Sequence, residues 1–273
     1  MAPSILPFVH ARGSWGEIGL QVGVMFAPSI ERHVEAWIRY VMSETGCSGT
    51  AVLEAAAPFA RPIQEHAPFL WEELDGMARG SGVAHAQLLV LQARAEVMRA
   101  NKPAAPPVPE CTTLAVTGPR AGGATLFGQN VDLVPFVEEF GIVVRQQPRN
   151  APAALLYTTA GLLGHNGMNE AGVGVGANFI DDPAGWGDGL PRYLLSRLAL
   201  REGSAEAARA AALAPPRAAS RNLLIADDRG TLLDVEALRR DVAVLRDVDG
   251  LLVHANHLEA PALPATRRRR TTR

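Results

Sequence analysis

The chain has 273 residues, 48% apolar and 20% charged, with a net charge of −2. That length can bury the core of one large domain or two small ones, and the charge balance gives no general attraction for nucleic acid or a membrane surface. No run reaches the roughly 18 apolar residues of a membrane helix. The opening "MAPSILPFVHARG" lacks a basic region and is broken by Pro3 and Pro7, so a signal peptide is not expected.

Up to about residue 105 the pattern is helical. "EIGLQVGVMFAPSIERHVEAWIRYVM" sets Ile30, Val34, Trp37, Ile38 and Val41 at helical spacing. "PIQEHAPFLWEELDGMARGSG" and "AHAQLLVLQARAEVMRA" continue it, with Gly80 and Gly82 as the stop between them. Pro103, Pro106, Pro107 and Pro109 then mark a linker that cannot be helix. Beyond it the apolar runs are short: "TTLAVT", "ATLFGQNV", "FGIVVRQQ", "AALLYTT" and "GVGVGANF", separated by Gly, Pro and Asn, as in an antiparallel sheet. Two helical stretches follow, "PRYLLSRLAL" and "SAEAARAAALA", and strands return with "RNLLIAD", "GTLLDVEAL", "DVAVLRD" and "GLLVHAN". Strands, then helices, then strands predict an α+β fold rather than alternating βαβ units. The arginine-rich end, "PATRRRRTTR", reads as a solvated basic tail.

Cys47 and Cys111 read as free thiols of a cytoplasmic protein, Cys47 as a small buried hydrophobe. Gly172, Gly174 and Gly176 alternate strictly, which fits a strand closely approached on one face by a neighbouring backbone better than a phosphate loop. His254 and His257 have no carboxylate or cysteine cluster to complete a metal site, so neither metal nor cofactor is expected.

Cys111 stands where the proline-rich linker gives way to a strand. Downstream, "GQNVD" follows a turn-like Gly128 with polar Gln129, Asn130 and Asp132 in an apolar setting, and Asn256 ends the apolar strand "GLLV". Polar groups there are either exposed or part of a hydrogen-bonded site. A thiol, a carboxylate and an amide at strand ends are the parts of a nucleophilic amidase or acyltransferase. The base is not evident: His165 is one candidate. The other is a new N-terminal amine, with a reference pKa of about 8, freed by self-cleavage between Glu110 and Cys111.

At these residues the chain resembles the acyl-coenzyme A:6-aminopenicillanic acid acyltransferase family of N-terminal-nucleophile (Ntn) hydrolases. The likeness runs through "GSWGEIGLQVG", "EELDGMARGSGV" with "LLVLQARAEV", "ECTT", "GQNVD", "LLGHNGMNEAGVGVGAN" and "VHANH", six pieces in family order. It implies a four-layer αββα sandwich, made as a proenzyme and cut into residues 1–110, a helical α-subunit, and 111–273, a β-subunit bearing the nucleophile. Cys111 would be both the self-cleaving residue and the mature nucleophile, Asp132 the catalytic aspartate and Asn256 the oxyanion asparagine. The expected substrate is a small-molecule acyl amide or acyl thioester, acyl-coenzyme A being a candidate, and the expected macromolecular partners are the protein's own cleaved fragments.

Three departures from the family pattern accompany this. Glu110 replaces a glycine before the nucleophile, extra residues surround "GPRAGG", and the family continues well past the "VHANH" position whereas this chain ends at Arg273. Arg267 is the loose match to a family arginine at the substrate site, and the short C-terminus suggests truncation. Two alternatives therefore stand beside the main reading: an uncleaved, non-catalytic homologue, or an amidase of the bile-salt or penicillin V type.

Overall fold

The computed structural model describes residues 6–101, 111–182, 184–261 and 263. The chain opens with a strand, β1 (Phe8–Gly13), and then a long helix, α1 (Trp15–Thr45). Ser14 caps α1 by accepting from the Glu17 amide while the Glu17 carboxylate accepts from the Ser14 N–H, so two orphan amides are satisfied at once. The helix bends at Phe26, two residues before Pro28, whose ring excludes a regular turn there, and stops at left-handed Gly46. Five helices follow: α2 (Gly49–Ala56), α3 (Ala60–His66), α4 (Pro68–Ser81), α5 (His85–Gln92) and α6 (Arg94–Asn101).

Helices α1 and α4 cross backbone to backbone. Gly19 lies against the Glu73 carbonyl, Gly76 against the Gly16 carbonyl and Gly80 against the Leu20 carbonyl, leaving no room for a Cβ at any of the three. Gly80 is thus a packing residue inside α4. The stop is Gly82 alone, in the left-handed conformation.

From Cys111 onward the chain is mostly strand: β2 (Cys111–Val116), β3 (Leu126–Val131), β4 (Gly141–Pro148), β5 (Ala154–Thr159), β6 (Asn166–Asn169) and β7 (Val173–Asn178). Two short helices, α7 (Leu195–Ala199) and α8 (Ala205–Leu213), precede β8 (Arg221–Asp227), β9 (Leu232–Ala237), β10 (Val242–Arg246) and β11 (Leu251–His254). Among the described residues these strands form two sheets, of order β1-β4-β5-β6-β7-β8-β9-β10 and β11-β2-β3. Pairing is antiparallel throughout except for β1, which joins β4 in parallel. The N-terminal segment therefore contributes a strand to the large sheet as well as its helical cover, and it belongs to the same body as residues 111–263.

The α+β organisation is layered. Helices cover one face of the large sheet through a core that includes Ile18, Leu74, Leu88, Val175, Ile225 and Val235. Alternate residues on the other face, Leu224, Ala226 and Leu232, meet Ala115, Phe127 and Leu252 of the small sheet. The glycines of β7 admit this second contact: a Cβ on Gly176 would strike Phe127, Gln129 and Thr113. What approaches these glycines is thus side chains of the facing sheet rather than backbone. The outer face of the small sheet carries Leu114, Leu126, Leu251 and Val253, all exposed. No helix in the described residues is long and apolar enough to cross a membrane.

Candidate active site

Cys111 is the first residue of β2, and it is buried on the inner side of the small sheet with Thr113 and Ala115. Its register partner on β3 is Val131; on the other side Thr113 pairs with His254 of β11. Continued two residues, that antiparallel register brings Asn256 opposite Cys111. The Cys111 N–H donates to Asn256 Oδ1 at 2.6 Å, and Asn256 Nδ2 donates to the Phe179 carbonyl at 2.9 Å. Asn256 Nδ2 has a second N–H beyond the one given to Phe179.

Asp132 directly follows Val131, is exposed, and lines the same cavity of about 130 Å³ as Cys111. The three candidate site residues within the described chain are therefore brought to one place. Glu110, Arg267 and the arginine-rich end lie outside the described residues. The "GQNVD" polar run resolves residue by residue. Gly128 sits within β3 rather than at a turn. Gln129 bridges the sheets, its Oε1 accepting from the Ala177 N–H at 3.0 Å and its Nε2 donating to the Ala177 carbonyl at 2.9 Å. Asn130 faces outward.

Beneath Cys111 a buried polar network joins the sheets. Asn178 Nδ2 reaches Thr113 Oγ1 and the His254 carbonyl, both at 2.9 Å, and Asn222 donates to Asp234. His254 Nε2 lies 2.9 Å from Glu236 Oε1 and 3.8 Å from Asp234 Oδ2. Glu236 also accepts the N–H groups of Glu259 and Ala260, so it secures the chain on both sides of Asn256. Burial raises the Asp234 carboxyl to about 6. Burial acts the same way on Glu236, but the hydrogen bonds from His254, Glu259 and Ala260 outweigh it and hold that carboxyl below its ordinary value. For His254 burial works against the charged form, and the bond to Glu236 with the Asp234 charge wins, raising its pKa. These contacts make His254, Glu236 and Asp234 a hydrogen-bonded strut between the sheets.

The inner wall of the cavity is cationic, a feature that sequence reading missed. Arg94 from α6, Arg192 from the turn before α7 and Arg221 from the start of β8 surround Tyr193, with guanidinium carbons 3.5, 5.1 and 4.9 Å from its ring centre. Burial pushes the Tyr193 phenol up, yet the three arginines overcome it and bring the pKa down to about 8. His165 lines the same cavity with Nε2 3.5 Å from Arg221 Nη2. Burial first, then Arg221, Arg94 and Arg192, drive its pKa well below the ordinary value, so the imidazole is neutral and a weak proton acceptor. A polar residue at a strand end, the sign that singled out Asn256, was equally present in Arg221 and Asn222 at the head of "RNLLIAD".

The sequence comparisons agree with this frame. Residues 120–273 match the family described as acyl-coenzyme A:6-aminopenicillanic acid acyl-transferase, which is more than half of the chain, and the chain belongs to that family. A curated relative, the 40 kDa form of acyl-coenzyme A:6-aminopenicillanic-acid-acyltransferase of Emericella nidulans, is 25% identical over 253 residues, covering 91% of this chain and 68% of its own. Among solved structures, a Caenorhabditis elegans N-acylethanolamine-hydrolyzing acid amidase ortholog aligns at 15% identity and a TM-score of 0.39, over 54% of this chain and 70% of its own. A conjugated bile acid hydrolase from Clostridium perfringens aligns at 23% identity and 0.34, over 52% of each chain.

Proposed function

We propose that the protein is a self-processing cysteine hydrolase or acyltransferase that works through an acyl-Cys111 intermediate. The observation that carries this reading is the placement of Cys111: a strand-leading thiol in the wall of a cavity, with its backbone nitrogen held by Asn256. In maturation the thiol adds to the Glu110 carbonyl carbon, the Glu110–Cys111 C–N bond breaks, and the resulting thioester leaves an amine on Cys111. Water then cleaves the thioester, giving a carboxylate on Glu110 and a free thiol. In turnover that amine takes the thiol proton and the sulfur attacks the acyl carbon of an amide or thioester. The leaving amine or thiol departs with the proton, and water or a second amine releases the acyl group.

The neutral, cation-surrounded His165 supports the amine over the imidazole as the base, because a base useful near neutrality needs a pKa near neutrality. Asn256 would orient the amine through Oδ1 and meet the oxyanion with its second Nδ2–H, while Asp132 would stand at the cavity rim as the orienting carboxylate. The test is intact mass of the expressed protein beside Cys111→Ala. Two fragments totalling the chain plus one water, with the break at Glu110–Cys111 in the wild type alone, are expected. A single uncut chain in both would overturn self-processing and leave the uncleaved homologue as the reading.

A further inference from the structure

Three buried guanidinium groups in one small cavity require a counter-charge. Arg192, Arg221 and Arg94 are 1%, 3% and 4% exposed. Among the described residues, those facing them from the packed elements are one buried carboxylate, Glu96, the Tyr193 phenol, the neutral His165 and the Cys111 thiol. Glu96 spends Oε1 on the Arg192 backbone N–H at 2.9 Å. Asp132, Glu44 and Arg99 stand at the less buried rim. Among the described residues, one carboxylate against three guanidinium groups leaves the inner wall positive, and a buried charge without a partner is costly.

The donors are also unspent. Arg192 Nε and Nη1 and Arg221 Nε are buried with no hydrogen-bond partner among the described residues. The Arg192 guanidinium carbon lies instead 4.8 and 5.1 Å from the ring centres of Phe179 and Trp186, contacts that hold it in place. Buried donors of this kind call for an acceptor.

We propose that this cavity binds an anionic group of the substrate, a carboxylate within a few carbon atoms of the acyl carbon, in a subsite formed by Arg192, Arg221 and Arg94. The assignment rests on Cys111 being the nucleophile, and it adds the class of compound that reaches it. A planar carboxylate matches the guanidinium fork. The volume of about 130 Å³ is close to the ~150 Å³ that accepts one benzene ring, which suits a short acidic fragment. Cys111 and Arg221 line the same cavity, which places the subsite beside the reacting atom.

The experiment compares alkylation of Cys111 by iodoacetate and by the neutral iodoacetamide, with Cys47 of the same protein as reference and peptide mapping to assign each site. The iodoacetate-to-iodoacetamide rate ratio is expected to be about tenfold higher at Cys111 than at Cys47, and to fall to the Cys47 value in Arg192→Gln. Acetate should protect wild-type Cys111 from iodoacetamide and acetamide should not, which keeps the test valid if the variant fails to fold. Equal ratios at the two cysteines, with no protection by acetate, would overturn the subsite and leave the nucleophile standing. If Cys111 reacts with neither reagent, the nucleophile reading falls, and calorimetric titration with acetate decides the subsite: saturable binding retains it, none removes it. Once the subsite is established, paired substrates locate the acid group. Preference for an N-acylglycine over its glycinamide puts it on the amine side, and preference for a succinyl anilide over the butyryl anilide puts it on the acyl side.

Discussion

Asn256 accepts the Cys111 backbone N–H at 2.6 Å across 145 positions of sequence, and the contact exists because β11 and β2 pair in a register that ends just short of both residues. Its two polar atoms have separate partners, so substitutions can separate its roles. Asn256→Leu removes both and is expected to slow acylation of Cys111 by an activated ester about 10²–10³-fold, the usual effect of losing one oxyanion donor. Asn256→Asp keeps an acceptor for the Cys111 nitrogen and has no N–H to donate. If mass spectrometry of the acyl-enzyme shows the Asp variant acylating at the wild-type rate, Asn256 only orients the nitrogen and the oxyanion is met elsewhere.

The α1–α4 crossing predicts a sharp contrast between glycines. A Cβ on Gly76 would meet the Gly16 carbonyl and the Leu20 amide, backbone atoms that cannot swing aside. Gly76→Ala should therefore destabilise the protein by about 1–3 kcal/mol through overpacking. Gly203 has open space around it and an unexceptional φ, so Gly203→Ala should stay within about 0.5 kcal/mol of wild type. Thermal melts of the two variants side by side give the answer, and equal melting temperatures would contradict the close crossing.

That contrast also shows what the sequence could disclose. Strands β2 to β5 and β7 to β11 were legible from short apolar runs bounded by turn residues, Cys111 from its place where the proline-rich linker meets a strand, and Asp132 and Asn256 from polar side chains where apolar ones were expected. Strand β1 was not: "FVHARG" is half polar, and it is a strand because it finds β4 in parallel, with Phe8 opposite Val143. Strand β6, "NGMN", has turn composition and is set by its neighbours on both sides. The arginine wall was hidden for a related reason. Arg94, Arg192 and Arg221 each look solvated in their own segments, and only the convergence of α6, the turn before α7 and β8 buries them together.

A second set of buried charges lies outside that wall. Arg197 Nη2 and Glu73 Oε2 are 2.7 Å apart with side chains 3% and 1% exposed, and Gln146 donates to the same carboxylate at 2.5 Å. Removing either charge leaves the other buried without its counter-ion, so Arg197→Leu and Glu73→Leu should each cost about 3–5 kcal/mol. The double variant should be clearly less damaging than the two losses added, since no lone charge remains. Denaturant melts of the four proteins make the cycle, and simple additivity would mean the pair is not coupled.

The strut under the nucleophile gives stability a predictable pH dependence. His254 has a raised pKa, so its bond to Glu236 contributes fully below the ordinary histidine value of 6.5 and fades as pH rises through the higher folded value. Asp234, raised to about 6 by burial, acts in the same direction: its contribution is complete below 3.8 and is lost as pH passes about 6. Glu236 is the opposite case. Its lowered pKa contributes above 4.5 and is lost as pH falls through the folded value. Stability from this network is therefore greatest in mildly acid solution. His254→Gln removes the charge while keeping a donor, and should lower stability by about 1.5–3 kcal/mol near pH 5, the usual worth of a hydrogen bond to a charged group. The deficit should shrink as pH rises through the folded value, because wild-type His254 then loses its proton. Melting both proteins from pH 5 upward tests it, and a deficit that does not shrink at any pH would show that His254 holds the Asn256 segment without being charged.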